Sequence, residues 1–197
     1  MPNPNHPLKG SRIAVDPIKR VEDIESIKRL LTNQPRDLLL FTIGINNGLR
    51  TGDLLRLKVG QVRMLKPGSS LIIREGKTGK ANILMINKPI HQALRKHLEL
   101  SDLKDDDYLF KSRKGRNQPL SIQRVNQLIK SWCAAINLAG NYGAHSLRKT
   151  FGYIQRSKFG VGFELLCKRF NHSSPAITMR YLGVEDSEIC KILLHEL

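Results

Sequence analysis

Ile18, Val21, Ile24, Ile27 and Leu31 stand three or four residues apart. That spacing puts all five on one side of an α-helix, so the stretch can bury its apolar face only as a helix packed on other elements. Asp16-Pro17 offers a helix start, with Asp as cap and Pro at the first helical position, and Asn33-Gln34-Pro35 offers a stop. The same rhythm governs most of the chain. Leu38 to Ile45 reads as a buried helix ended by Asn46-Asn47-Gly48. A short helix is expected over about 52–58, and Pro89 opens another through about Glu99, with Ile90, Leu94 and Leu98 on one face. Ser121 caps a helix to about Leu138 that turns Ile122, Val125, Leu128, Ile129, Trp132 and Ile136 inward. From His145 onward the pattern predicts three or four more helices joined by turns containing Gly or Ser-Pro.

One region breaks the rhythm. Val62–Leu65, Leu71–Arg74 and Asn82–Ile86 are short β-like runs. Lys66-Pro67-Gly68 separates the first pair and Glu75-Gly76-Lys77-Thr78-Gly79-Lys80 the second, and the two glycines of the latter suit a hairpin tip. The expected fold is mainly α with a small three-stranded antiparallel β-sheet. A chain of 197 residues suits one such domain. Residues 1–16 read as a flexible basic tail, 17–184 as the domain, and 185–197 as a last helix with Ile189, Ile192, Leu193 and Leu197 on an apolar face.

Charge narrows the partner. With 33 Lys and Arg against 17 Asp and Glu, the formal net charge is +16. Such a surplus calls for a polyanion, although charge alone leaves DNA, RNA, ribosome and anionic membrane open. No apolar run approaches the roughly 18–20 residues of a membrane helix, and Met1-Pro2-Asn3-Pro4-Asn5-His6-Pro7 has no apolar signal core. A cytoplasmic protein is expected. Cys133, Cys167 and Cys190 have no metal or redox spacing, so reduced thiols are expected. Gly76-Lys77-Thr78 lacks the earlier glycine and the following helix of a phosphate loop, and no carboxylates cluster for two metals. No cofactor and no metal are expected.

Three segments carry candidate chemistry: Gly48-Leu49-Arg50-Thr51-Gly52-Asp53, then His145-Ser146-Leu147-Arg148-Lys149, then Asn171 to Tyr181. Breaking a phosphodiester puts negative charge on its non-bridging oxygens, and two guanidiniums such as Arg50 and Arg148 can hold them by forked hydrogen bonds. A Tyr hydroxyl, with an ordinary pKa near ~10, must lose its proton to attack, and a neutral His can take it. The departing oxygen needs a proton, which a Lys on a hairpin tip can give. Taken singly, each of these residues has an ordinary structural explanation: a local ion pair, a helix-face neighbour, a packing ring.

In this order the segments resemble the tyrosine recombinase family, the phage integrases with related DNA invertases and resolvases. The family pattern has an Arg after a Gly-Leu turn, an acid three residues on, a Lys in a β-hairpin, His-x-x-Arg, a second His, and the Tyr nine residues later. Here these are Arg50, Asp53, Lys77, His145, Arg148, His172 and Tyr181. The flanks Leu54-Leu55-Arg56-Leu57-Lys58 and Thr178-Met179-Arg180 agree, and the resemblance runs from about Ile18 to Tyr181.

The resemblance implies a tyrosine recombinase catalytic-domain-like (DNA breaking–rejoining) fold. It implies a metal- and ATP-independent site-specific recombinase acting through a 3′-phosphotyrosine link. In it Tyr181 is the nucleophile, Arg50 and Arg148 the phosphate ligands, His145 the base candidate, and His172 the phosphate or orientation ligand. Lys77 is the proton donor, with Lys80 a competitor, and Asp53 orients Arg50 or braces the local fold. The implied partners are double-stranded DNA, further copies in a tetramer on paired sites, and DNA-bending accessory proteins, in a bacterial or mobile-element setting near the nucleoid. Lys80, Lys111, Arg113, Lys114, Arg116, Arg124 and Lys149 are expected near the DNA backbone, with Gln123 or Asn126 as base contacts.

Two departures stand out. Asn171 precedes His172 where the family most often has Gly, and only about 17 residues precede the first helix, where many members carry a DNA-clamping domain. A compact member or a fragment of a longer chain would both read this way. A type IB topoisomerase and a non-catalytic DNA-binding regulator remain as alternatives.

Overall fold

The computed structural model describes residues 15–183 together with Cys190, Leu193, Leu194 and Glu196. The tail expected at 1–16 and the helix expected at 185–197 fall almost wholly outside the described residues. Among those described, nine helices surround one two-stranded sheet. They are α1 (Val21–Leu30), α2 (Pro35–Asn47), α3 (Thr51–Leu55), α4 (Val59–Val62), α5 (Lys88–Glu99), α6 (Ile122–Ala135), α7 (Ala144–Ser157), α8 (Phe163–Phe170) and α9 (Pro175–Leu182). The strands are β1 (Ser70–Arg74) and β2 (Ala81–Met85), antiparallel, with Leu71 opposite Leu84 and Ile73 opposite Asn82. No helix of the described residues is long and apolar enough to cross a membrane.

The sheet has two strands rather than three. The run Val62–Leu65 turns helically, with Leu65 N–H donating to the Val62 carbonyl at 3.1 Å. Val62 is buried and Leu65 packs on the core while Met64 is 82% exposed, so the two inward residues are three apart. That is a helical step, not the alternation of a strand. The preceding amides are already spoken for: Val59 N–H donates to Asp107 O and Gly60 N–H to Asp105 O, each at 3.0 Å.

The start of α1 also differs. Asp16 does not cap it; its carboxylate accepts the Asn141 amide at 2.8 Å, and Ile18 N–H donates to Thr150 Oγ1 at 2.8 Å. An extended lead-in is thereby tied to the segment before α7 and to α7 itself, and the helix begins four residues later. The helix expected over 52–58 is the five-residue α3; the helix expected to open at Pro89 starts at Lys88, and the helix capped by Ser121 ends at Ala135, with Ile122, in its first turn, 48% exposed rather than inward.

The central helix is α2, whose Leu39, Leu40, Phe41 and Ile43 are all at most 1% exposed. Phe41 meets Trp132 of α6 edge to face at 6.0 Å. α2 and α7 approach closely at Gly44, where a Cβ would lie 2.6 Å from Leu147 Cδ1. This approach sets the C-terminal end of α2 beside the first turns of α7. A smaller cluster, Phe151, Leu166 and Phe170 with Val161, Tyr181 and Leu182, binds α7, α8 and α9 together.

Candidate active site

Gly48 ends α2 in the left-handed conformation, φ +60, and a Cβ there would stand 2.3 Å from the Phe151 ring. Glycine alone satisfies both demands. The turn sinks Leu49 into the core and leaves Arg50 in extended backbone ahead of α3. Arg148 stands one turn into α7. It is 3% exposed, donates from Nη1 to Gly48 O at 2.6 Å and from Nη2 to Phe170 O at 2.7 Å, and lies 4.4 Å over the Phe170 ring. Burial brings its pKa down to about 10, which leaves it charged at neutral pH. Two neutral carbonyls thus hold a full positive charge with further N–H groups to offer. The α7 terminus is fixed by Ala144 N–H donating to Asn126 Oδ1 at 2.6 Å, so the side-chain oxygen of Asn126, expected at a base, is engaged within the protein.

The hairpin between β1 and β2 faces this pair. Leu71, Ile73 and Glu75 fall on its inner side, and Glu75 is 1% exposed. Its carboxylate forms an ion pair with Arg50 and accepts from Thr78 Oγ1 at 2.5 Å and Asn82 Nδ2 at 2.8 Å. Burial alone would raise its pKa, but the bonds from Thr78, Asn82, Arg50 and Asn171 bring it down to about 2. Asp53 does not orient Arg50. Its Oδ1 accepts Arg56 Nη2 at 2.6 Å and Gly76 N–H at 3.0 Å, so it braces the hairpin base. Lys77 and Lys80 are exposed at the tip.

Tyr181 lies on α9 with its hydroxyl buried and without a partner at hydrogen-bonding geometry. Its ring meets His172 at 5.4 Å and Phe170 at 5.7 Å, and Lys149 Nζ sits 5.2 Å from its centroid. Burial pushes its pKa up to about 12, against the pull of Arg148 and Arg50. The His172 Nδ1 atom is 2.9 Å from the fully buried hydroxyl of Thr178. Burial, then the charges of Arg148 and Arg50, bring its pKa down to about 4, so the ring is neutral at neutral pH. His145 presents surface to solvent, yet desolvation by the surrounding protein, followed by the charges of Arg148, Arg50, Lys77 and Lys149, holds its pKa below the usual value. Asn171 takes the left-handed conformation, φ 51, at the end of α8, as a Gly would, and its Nδ2 donates to Ala81 O at 3.1 Å.

Arg50, His145, Arg148, Lys149, His172 and Tyr181 therefore converge on one site beside the Lys77 hairpin. The other basic residues do not join it. Arg113, Lys114 and Arg124 line a separate hollow with Arg36, near the start of α6. Arg116 and Gln123 are exposed nearby in sequence. Lys111 is ion-paired with Asp107 at 2.6 Å. Three residues of the site escaped the sequence reading: Glu75, Thr178 and Arg169. Arg169 donates to Asn47 O, Asn82 Oδ1 and Ile83 O. For Glu75 a signal existed, because strand alternation puts it in phase with Leu71 and Ile73.

Residues 19–188 match the phage integrase family. A probable integrase/recombinase, YoeC, of Bacillus subtilis is 38% identical over 175 residues, which cover 87% of this chain and 91% of that one. The tyrosine recombinase XerC of Caldanaerobacter subterraneus subsp. tengcongensis is 28% identical over 197 residues, covering 95% of this chain and 53% of that one, so the chain spans about half of that relative. Among solved structures, the XerA recombinase has a TM-score of 0.74 at 21% identity, covering 96% of this chain and 68% of the other. The XerH site-specific recombinase bound to palindromic difH substrate in a post-cleavage complex also has a TM-score of 0.74, at 22% identity, covering 93% and 53%.

Proposed function

The chain belongs to the phage integrase family, and from that premise we propose that it is a tyrosine site-specific recombinase that cuts and rejoins DNA strands through Tyr181. The observation that carries this reading is the meeting of two guanidiniums with a buried phenol. Arg148 is seated on the Gly48 and Phe170 carbonyls, and the Tyr181 hydroxyl, with no partner at full hydrogen-bonding geometry among the described residues, feels the pull of Arg148 and Arg50. Such a site offers donors where charge develops on a phosphate and a nucleophile with no competing bond.

The Tyr181 oxygen attacks the scissile phosphorus and forms a 3′-phosphotyrosine bond as the 5′ oxygen leaves. Arg50 and Arg148 hold the non-bridging oxygens. His145, neutral near pH 7, accepts the phenol proton. His172 is neutral too, and with Nδ1 fixed by Thr178 it turns Nε2 toward the phosphate. Lys77 protonates the departing 5′ oxygen from the hairpin tip. A 5′-hydroxyl from another strand then attacks the phosphotyrosine, and the bond energy conserved in that link reseals the DNA. Residues 17–184 act as the catalytic domain of this reaction, in the cytoplasm and at the nucleoid.

The working form in this reading is a tetramer on two DNA sites, aided by DNA-bending proteins. Residues 185–197 dock in this reading either on their own domain or on a neighbouring copy, and a cleft of about 410 Å³ between β2 and α8, with Ile83, Val161, Leu165 and Leu166 in its lining, is one apolar surface open to them. The chemistry is tested with nicked duplexes cut from the DNA flanking the gene. Tyr181→Phe should abolish covalent capture while DNA binding stays nearly intact. Capture that persists in that variant overturns the nucleophile assignment, and sequence-independent relaxation of supercoils by a monomer would favour a topoisomerase.

A further inference from the structure

The ion pair between Arg50 and Glu75 has no counterpart in the motif that defines the site. Glu75 is a fully buried carboxylate two residues from Lys77. A buried charge costs several kcal/mol unless it is fully bonded. Here four side chains stabilise it: Arg50 from the α2–α3 turn, Thr78 from the hairpin tip, Asn82 from β2 and Asn171 from the end of α8. The link continues outward. The Asn82 Oδ1 atom accepts from Arg169 Nη1 at 2.8 Å, and Arg169 Nη2 and Nε both donate to Asn47 O at the end of α2. The same carboxylate is the anion felt by Arg148, Arg169 and His172. Its negative charge is therefore the local balance for a cluster of guanidiniums.

We propose that Glu75 is a positioning residue: it fixes the Arg50 guanidinium for the scissile phosphate and ties that position to the hairpin that carries Lys77. This rests on the recombinase reading above. Arg50 leaves extended backbone ahead of α3 on a long side chain with several rotamers, and among the described residues its ion-pair partner is Glu75. One edge of the guanidinium is held there and the remaining N–H groups are free for phosphate oxygens. Because Glu75 sits on the hairpin, any shift of the hairpin on DNA moves the anchor of Arg50 with it. Phosphate ligand and leaving-group acid are thereby set in one motion. The arrangement has a cost that makes it testable. A carboxylate beside the phosphate site repels the substrate while it aligns the arginine.

The discriminating experiment is Glu75→Gln in the full chain. The covalent capture rate is measured on nicked duplexes from the gene's flanking DNA, and non-covalent affinity for the same duplexes is measured in the Tyr181→Phe background. The expected result is opposite in sign for the two readouts: capture slower by about tenfold or more, from misalignment of one phosphate ligand, and binding tighter by about two- to fivefold, from the lost repulsion. A residue that merely supports the fold would weaken both together. In Arg50→Ala, adding Glu75→Gln should slow capture no further, since Glu75 acts through Arg50. Thr78→Val, at an exposed position, removes one bond to the carboxylate without endangering the fold, and should slow capture about threefold. Capture unchanged in Glu75→Gln, or a full further loss in the Arg50→Ala background, overturns the proposal. If Glu75→Gln does not fold, unchanged capture in Thr78→Val overturns it. Absence of any Tyr181-dependent capture in the unmodified protein would instead overturn the recombinase reading itself.

Discussion

Arg148 and Gly48 are one hundred residues apart in sequence and 2.6 Å apart in space, guanidinium Nη1 to carbonyl oxygen. The bond makes the turn that presents one arginine into part of the seat of the other. A Lys at position 148 could reach one carbonyl at most and offers no fork. Arg148→Lys should slow covalent capture by about 10²- to 10³-fold, the loss expected when a donor to the transition-state oxyanion is removed. A suicide-substrate time course measures this, with a thermal melt alongside to follow the lost bond to Phe170 O.

Gly48→Ala meets two penalties at once, a left-handed backbone and a Cβ 2.3 Å from Phe151. Their sum should be about 2–4 kcal/mol. Denaturant unfolding should show the midpoint falling at unchanged slope. A loss below ~1 kcal/mol would mean that Phe151 moves aside at little cost.

Acid should weaken the fold in two windows. His172 has a folded pKa near 4 against an ordinary 6.5, so the unfolded chain binds the extra proton first and stability falls as pH drops from about 6.5 to 4. Glu75 is depressed from 4.5 to about 2, so its contribution is complete above pH 4.5 and is lost as pH falls toward 2. That contribution is on the order of 3 kcal/mol. Unfolding free energies over a pH series should show Glu75→Gln flattening the lower window and His172→Asn the upper one.

Thr178→Val keeps shape and removes the group 2.9 Å from His172 Nδ1. The imidazole then loses the bond that fixes its ring and tautomer. Capture should slow about tenfold while DNA affinity holds. A pulldown of affinity equal to the rate loss would assign Thr178 to packing alone.

Salt should separate the two uses of positive charge. Affinity should fall steeply between 50 and 200 mM salt, with a slope near −0.9 per neutralised phosphate, while resealing of an already captured complex changes little. Arg113→Ala should reduce that slope more than Lys111→Ala, because Lys111 is already paired with Asp107.

The helices and the motif residues were legible because each rests on a local rule. The spacing of Ile24, Ile27 and Leu31 gives the buried face of α1, although Ile18 is buried from the extended lead-in and Val21 is 38% exposed, and Ser121 caps α6. What was not legible depends on distant partners. Asp16 has every local mark of a cap, yet Asn141 claims its carboxylate. Val62–Leu65 looks like a strand until the Asp105 and Asp107 carbonyls take the amides just before it. Asp53 sits at the right spacing to serve Arg50, but its Oδ1 accepts from Arg56 Nη2 and from the hairpin amide of Gly76 instead. Asn171 was legible as a departure, and its left-handed backbone shows how an Asn stands where Gly is usual, because Asn tolerates that region better than other side chains.

The two carbonyls that hold Arg148 belong to Gly48 and Phe170, so the cradle closes only when three remote stretches of chain have met. Bonds between residues so far apart in sequence exist only once the long intervening loops have closed. A chain still emerging from the ribosome, or one nicked or partly melted, therefore holds no competent cutting centre. The fold itself thus acts as a safety interlock: the blade exists only when the whole tool is assembled.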